Sequence, residues 1–335
     1  MHRRELLKQI IGISGMTLTA PLAGACQSIT QGFGDAKTQI SFVKTNDREK
    51  GINQAIDLLK LPGFRKKDLF IKPNFNSANE TPGSTHNDTL KTLINKLREL
   101  DSGELTVGDR SGMGNTNDVF ENKKMFAMAK DLKFRTVVFD DLKKEDWEHI
   151  KLGGSHWTQG FFIPKTVKNA GGIIQTCCLK THRFGGHFTL SLKNSVGFAA
   201  KRVPGNDYNF MIELHRSEYQ RTMIAEINAA YKPDLIVLDG IDAFTTGGPD
   251  TGKTVNSQVI LAGTDRVAID AVGVAILRHF GTTEEVSRGK IFDQEQIARA
   301  TALNIGIRSP KQIEFVTNDS ESFKYAKEIQ AILNS

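Results

Sequence analysis

The densest group of reactive side chains in this sequence lies between Lys180 and Gly197, which enclose His182, His187 and Lys193. The imidazoles can transfer protons near neutral pH or bind a metal ion, and an ammonium group can hold an anion. A nearby ammonium also lowers an imidazole pKa and keeps the ring neutral. We predict that these two histidines and Lys193 form a catalytic group. The alternatives are a metal-binding pair and two loop histidines that only form hydrogen bonds.

An apolar run precedes this segment and predicts a buried strand over Gly172–Leu179. Lys180 and His182 then emerge at the carboxyl end of the strand, where open α/β sheets bind ligands. Residues 188–196 fit both a strand and one face of a helix. We favour a helix, because its N-terminal amides would face an anion near His182.

Polar residues that follow other predicted strands should lie near the same edge of the sheet. The predicted anion-binding residues are Lys72, Asn74, Lys180 and Asn194. The carboxylates that could bind a divalent metal are Asp109, Asp239 and Asp242. The sequence contains no H-E-x-x-H motif or comparable ligand spacing.

Alternating strand and helix patterns over residues 39–335 indicate an α/β fold with a mostly parallel sheet covered by helices on both faces. This region forms one large domain or two fused lobes, with a junction near residues 142–164. The predicted strands are 39–43, 68–71, 104–107, 135–139, 172–179, 234–238, 258–262 and 313–316. The predicted helices are 48–60, 88–100, 118–132, 217–230, 267–279, 294–303 and 321–333. Thr85 or Asn87 is expected to cap the helix predicted over 88–100. Asp265 is expected to cap the helix predicted over 267–279.

One further motif matches the phosphate-loop pattern G-x-x-x-x-G-K-[ST] across Gly247–Thr254. A phosphate loop joins a strand to a helix whose N-terminus faces the phosphates. Here the following residues, Val255–Ala262, predict another strand. We therefore interpret the motif as a glycine-rich turn.

The first 25 residues resemble an export signal, with Arg3-Arg4 ahead of a short apolar stretch as in twin-arginine signals. Ala23-Gly24-Ala25 fits a cleavage site and also a lipoprotein box before Cys26. We expect an exported protein of the periplasm or cell envelope. It is either tethered to the membrane through a lipidated Cys26 or soluble after cleavage, and residues 26–38 form a flexible tether.

Composition narrows the choice of partners and cofactors. The formal net charge is +6, without a basic patch interleaved with aromatics. An anionic small molecule or a membrane surface is therefore expected, and not a nucleic acid. The three cysteines, Cys26, Cys177 and Cys178, provide no disulfide framework, zinc site or iron–sulfur spacing. The adjacent pair is expected in the core.

An ordered set of motifs resembles the DUF362 family, a domain of unknown function. The motifs are Lys72-Pro73-Asn74, Lys180-Thr181-His182, Ser191 to Gly197, Leu238 to Asp242 with Gly248-Pro249, and Asp265 to Gly273. The resemblance implies an α/β domain without an assigned reaction. Some relatives add a ferredoxin-like cysteine module, which is missing here, so the resemblance implies no iron–sulfur cluster. The segment from His182 to Gly186, with Lys193, also resembles the His-Gly-Gly-Lys segment of nickel-pincer lactate racemases.

These observations predict an enzyme that acts on a small anionic metabolite, using His/Lys acid–base or metal-assisted chemistry. A non-catalytic envelope protein that binds a solute or a partner through the same loops is the alternative.

Overall fold

A nine-stranded sheet runs through the computed structural model, which describes residues 36–335. The predicted export signal, Cys26 and most of the predicted tether lie outside the described residues. The strands are β1 Thr38–Lys44, β2 Leu69–Lys72, β3 Leu105–Asp109, β4 Arg135–Val138, β5 Trp147–Ile150, β6 Phe161–Pro164, β7 Gly172–His182, β8 His187–Thr189, β9 Leu235–Gly247, β10 Gly252–Gly263 and β11 Ile313–Val316. Residues 36–335 form one compact unit.

Helices connect these strands. The α-helices are α1 Arg48–Leu58, α2 Asn87–Glu99, α3 Thr116–Asn122, α4 Met125–Leu132, α5 Lys165–Lys168, α6 Ser191–Asn194, α7 Phe210–Arg216, α8 Gln220–Ile227, α9 Arg266–His279, α10 Glu284–Ser287, α11 Glu295–Ala302 and α12 Ser320–Leu333. Short 3₁₀ turns occur at Phe139–Asp141, Lys144–Asp146, Ser195–Gly197, Asn228–Ala230, Ile291–Asp293 and Pro310–Gln312. Within residues 36–335, none of the helices is long and apolar enough to cross a membrane.

The main sheet has the strand order β11-β1-β10-β9-β7-β2-β3-β4, and β8 pairs with the end of β7. Along this order, every strand except β10 runs in the same direction. The predicted α/β fold with a mostly parallel sheet is therefore confirmed. Because the parallel strands share a direction, their carboxyl ends lie along one edge, where loops can gather side chains.

The central strand β7 is buried along its whole length, which explains its continuous apolar sequence. Successive side chains of a strand point to opposite faces of the sheet. Ile174 accordingly packs in the core cluster formed with α1 and α2, whereas Cys177 packs in the cluster formed with α9 and α12. Both cysteines of the adjacent pair are buried, as expected.

Helix α2 illustrates how the sequence pattern determines a local structure. Its side chains Leu90, Leu93, Ile94 and Leu97 are buried and recur with the spacing of one helical face. The cap is His86, whose Nδ1 accepts from the Asp88 amide at 3.1 Å. The expectation that Thr85 or Asn87 would cap this helix is therefore wrong.

Three further expectations about helices are corrected. The helix predicted over 118–132 is divided at Lys124, which has a left-handed φ of 56°. The helix predicted over 217–230 is confined to α8 and a 3₁₀ turn. Residues 188–196 begin as strand β8, which pairs with β7, and only then form the one-turn helix α6.

Two further segments form antiparallel strand pairs. Residues 142–164, where we expected a possible lobe junction, contain the two-stranded sheet of β5 and β6. The segment Gly247–Thr254 joins β9 to β10 as an antiparallel hairpin, with Gly247 paired to Gly252. A strand and not a helix follows the phosphate-loop motif, in agreement with its interpretation as a turn.

Asp265 caps α9 as predicted, and it also fixes a second segment. One carboxylate oxygen accepts from the Ala268 amide at 2.9 Å and the other from the Ile307 amide at 2.9 Å. We predict that Asp265→Ala lowers the free energy of unfolding by about 1–2 kcal/mol, because both donors lose their acceptor. Urea denaturation measures this loss. Asp131→Ala, at an exposed position, is the control, and equal midpoints for the two variants would contradict the prediction.

Candidate functional site

A cavity of about 320 Å³ opens at the carboxyl ends of β2, β3 and β7. Six of the residues predicted from the sequence line it together. They are Lys72, Asn74, Asp109, His182, Lys193 and Asn194. A seventh, Lys180, lies directly behind the wall and donates to the carbonyl of Pro249, which lines the cavity.

A buried ion pair forms one wall of the cavity. The ammonium of Lys72 lies 2.7 Å from a carboxylate oxygen of Asp109, and both side chains are almost fully buried. Lys72 also donates to the side-chain oxygen of Asn194 at 3.1 Å, while Asp109 accepts from the Phe75 amide at 2.8 Å. A β-carbon on Gly197 would lie only 2.7 Å from the Lys72 nitrogen. The close approach of the backbone to this pair therefore requires glycine at that position.

Lys193 is presented to the cavity by the short helix α6. The carboxylate of Asp270 in α9 accepts from the backbone amides of Ser191 and Leu192, at 2.8 and 3.2 Å, and so fixes the first turn of α6. The Lys193 side chain is 7% exposed and has no hydrogen-bond or ion-pair partner within residues 36–335. Burial, reinforced by the nearby positive charges of Lys180 and Arg110, lowers the pKa of Lys193 to about 7.

The ring of His182, at the end of β7, lies in the same part of the cavity as the Lys193 side chain. An ideal β-carbon on Gly186 would lie 3.0 Å from Cδ of Lys193 and 3.1 Å from Nδ1 of His182. The absence of a side chain at Gly186 therefore leaves room for both groups. Burial, followed by the charge of Lys193, lowers the pKa of His182 well below its ordinary value. The imidazole is accordingly neutral at physiological pH.

Positive charge dominates the cavity. Asp109 is the one carboxylate among the described lining residues, whereas the lining cations are Lys72, Arg110, Lys193 and Lys201. Arg110 donates to the backbone carbonyls of Ala199, Ser111 and Val196. Because carbonyl oxygens satisfy donors without neutralising their charge, the cavity keeps an excess of positive charge.

Several buried polar atoms in the lining have no protein partner. They are the side-chain oxygen of Asn74, the side-chain nitrogen of Asn76, the hydroxyl of Thr189 and Nδ1 of His182. Buried polar groups are nearly always hydrogen-bonded, since an unpaired one costs about 1–3 kcal/mol. All four side chains belong to residues that line this one cavity, which favours a polar ligand there.

The structure does not bring all of the predicted residues to this place. His187 faces His182 across the β7–β8 pair but does not line the cavity. Asp239 and Asp242 form ion pairs with Arg48 of α1, at 2.9 and 3.2 Å, and Asp239 also accepts from Thr89 of α2.

Asp242 lies within an irregularity of β9. Cys178 pairs with Asp239 but Leu179 pairs with Ala243, so the residues between Asp239 and Ala243 lie outside the register with β7. Asp109 is paired with Lys72, whereas Asp239 and Asp242 share Arg48, so the three predicted metal ligands do not form one site. Within the described residues, no group of three or more His, Cys, Asp or Glu side chains could hold a metal ion.

Sequence reasoning missed five polar residues of the lining, namely Asn76, Arg110, Thr189, Lys201 and His215. A signal existed for Arg110, because it follows Asp109 at the end of a predicted strand. None existed for His215, since α7 was not predicted. His215 has its pKa lowered by burial, and its Nδ1 lies 2.6 Å from the Met211 carbonyl.

Together, the fold and the cavity define an α/β protein with a buried cationic site at the carboxyl edge of its sheet. A family model described as Domain of unknown function (DUF362) matches residues 69–275. The chain belongs to this family, as its motifs suggested.

Two further similarities extend beyond the family model. The chain is 25% identical over 231 residues to the thylakoid-associated protein sll1697 of Synechocystis sp., a match that covers 65% of this chain and 64% of that protein. The chain thus spans less than two thirds of that relative. The lactate racemase apoprotein from Thermoanaerobacterium thermosaccharolyticum superposes with a TM-score of 0.44 at 15% identity, covering 86% of this chain and 85% of that one. Neither similarity assigns a reaction to this chain.

Burying the unpartnered Lys193 should destabilise the protein in a pH-dependent way. Since the pKa is lower in the folded chain than its ordinary value near 10.5, the unfolded chain binds the proton more tightly, and stability rises with pH above about 7. We predict that Lys193→Met raises stability at pH 6 by on the order of 2 kcal/mol and by less at pH 9.

Thermal melts of both proteins at the two pH values test this prediction. Lys290→Met, at an exposed position, is the matched control and should have no effect. A Lys193→Met protein that melts below the wild type at pH 6 would show that Lys193 is not an unpaired buried charge.

Proposed function

We propose that this protein is an exported enzyme that binds a small anionic metabolite, a carboxylate or a phosphate, and transfers a proton through Lys193 and His182. The observation that carries the proposal is the unpartnered Lys193 amine in a cavity lined by more cations than carboxylates. Export is inferred from the sequence of residues 1–25 alone.

An anion would supply what the cavity lacks. Its negative charge would offset the excess of positive charge, and electrostatic attraction is strong where water is largely excluded. Its oxygens would accept from donors that have no acceptor in the protein, namely the Asn76 amide and the Thr189 hydroxyl. The Lys72–Asp109 pair would hold this wall in place.

Lys193 and His182 are suited to moving a proton. With a pKa of about 7, the Lys193 amine exists in both protonation states near neutral pH, and it can both give and accept a proton. The neutral His182 ring offers Nδ1 as a second carrier beside it. His187 has no part in this step, because it lies outside the cavity lining.

The charge of Lys193 makes anion binding depend on pH. The ammonium is charged below about pH 7 and loses its charge above it. We predict that the wild type binds propionate about tenfold more weakly at pH 8 than at pH 6, since a hydrogen bond to a charged group contributes about 1.5–3 kcal/mol. Propionate is the probe because its own charge is constant over this range. Isothermal calorimetry measures the affinity.

Two variants complete this test. Lys193→Gln should bind propionate weakly at both pH values, and Lys290→Gln should behave as the wild type. Equal affinity of the wild type at pH 6 and pH 8 would contradict the proposed role of Lys193.

Native mass spectrometry of the purified protein addresses turnover. A retained anion that is released without chemical change would favour a solute-binding protein over an enzyme.

A further inference from the structure

We propose that Lys193 acts as a nucleophile and forms a Schiff base with a 2-oxo acid, so that the substrate carries a carbonyl group beside its carboxylate. This inference rests on the proposed function, since it takes anion binding in the cavity as its first step. It adds a covalent intermediate and restricts the class of substrate.

The first support is the state of the amine. A lysine attacks a carbonyl only when its nitrogen is neutral and its lone pair is free. Of the three buried lysines at this site, Lys72 is paired with Asp109, and Lys180 donates to the carbonyls of Gly83 and Pro249. Lys193 has neither kind of partner among the described residues. The cations around it disfavour its protonated form.

The second support is the position of a proton carrier. Forming the carbinolamine, the first stage of a Schiff base, requires one proton to leave nitrogen and one to reach oxygen, and its dehydration to the imine requires a second such transfer. The unpartnered Nδ1 of His182 lies beside the Lys193 side chain, at the space left by Gly186. This neutral ring can accept the proton from nitrogen and return it to oxygen.

The bonds balance without an oxidant or a reductant. The Lys193 nitrogen bonds to the carbonyl carbon, and the carbonyl electron pair moves to oxygen. His182 transfers a proton from nitrogen to that oxygen, which gives a carbinolamine. The carbon–oxygen bond then breaks, the oxygen leaves as water after a second proton transfer from nitrogen, and an imine remains.

The third support is the provision for a carboxylate beside the carbonyl. The amide nitrogen of Asn76 and the hydroxyl of Thr189 are buried donors without an acceptor in the same lining. A carboxylate has two acceptor oxygens, which matches two unsatisfied donors. An aldehyde or ketone without an anionic group would leave these donors and the excess positive charge unsatisfied.

Reductive trapping tests the inference on the full chain. Glyoxylate, pyruvate and 2-oxoglutarate are each incubated with the protein at pH 8 and treated with sodium cyanoborohydride, which reduces an imine to a stable secondary amine. Peptide mass spectrometry then locates the adduct. We expect at least one of these oxo acids to modify Lys193 about tenfold more than the exposed Lys290, because the buried amine is neutral at a lower pH. Excess propionate should suppress the Lys193 adduct.

The variants and outcomes separate this inference from the proposed function. Lys193→Arg and Lys193→Met, checked by thermal melts, should lose the specific adduct. If propionate binds with the expected pH dependence but none of the three oxo acids traps on Lys193, the Schiff base is wrong and the anion site remains. If propionate does not bind and no adduct forms, both proposals are wrong.

Discussion

Excess positive charge buried beside one cavity is the constraint on which this end of the protein depends. Transferring a charge out of water is costly, and a folded chain ordinarily offsets it with a carboxylate or with well-placed dipoles. The four buried cations of this site differ in how their charge is compensated. Lys72 has Asp109, Arg110 and Lys180 have backbone carbonyls, and Lys193 has neither among the described residues. The free energy gained by packing elsewhere in the fold must therefore offset the burial of Lys193, as is common at functional sites.

The backbone carbonyls that accept hydrogen bonds from Arg110 and Lys180 belong to loops. These hydrogen bonds hold the loops in place around the site. Arg110, at the end of β3, holds the carbonyls of Val196 and Ala199, which follow α6. Lys180, near the end of β7, holds those of Gly83 and Pro249. Each buried cation thus ties a strand end to loops distant in sequence. Buried cations therefore also fix the loops around the cavity.

The sequence predicted the parts of the site that lie at the ends of regular parallel strands. The buried run of β7 located Lys180 and His182, and the ends of β2 and β3 located Lys72 and Asp109. It could not place Asp242, because the irregular register of β9 against β7 leaves no trace in a pattern of apolar residues. It could not place Asp239 either, because the ion pair with Arg48 joins residues far apart in sequence. The helix favoured over residues 188–196 began too early, since the single turn of α6 is too short for its period to define its start.

The order of β8 and α6 explains why His182 and Lys193 meet. A helix beginning at residue 188, as the pattern suggested, would have carried Lys193 away along a continuous axis. Instead, the turn after His182 returns the chain antiparallel to β7, and Asp270 of α9 holds the start of α6. The side chain of Lys193 then reaches back over Gly186 to the ring of His182. His182 and Lys193 therefore line the same cavity, because the β7–β8 pair and the buried carboxylate of Asp270 return the chain to the carboxyl edge of the sheet.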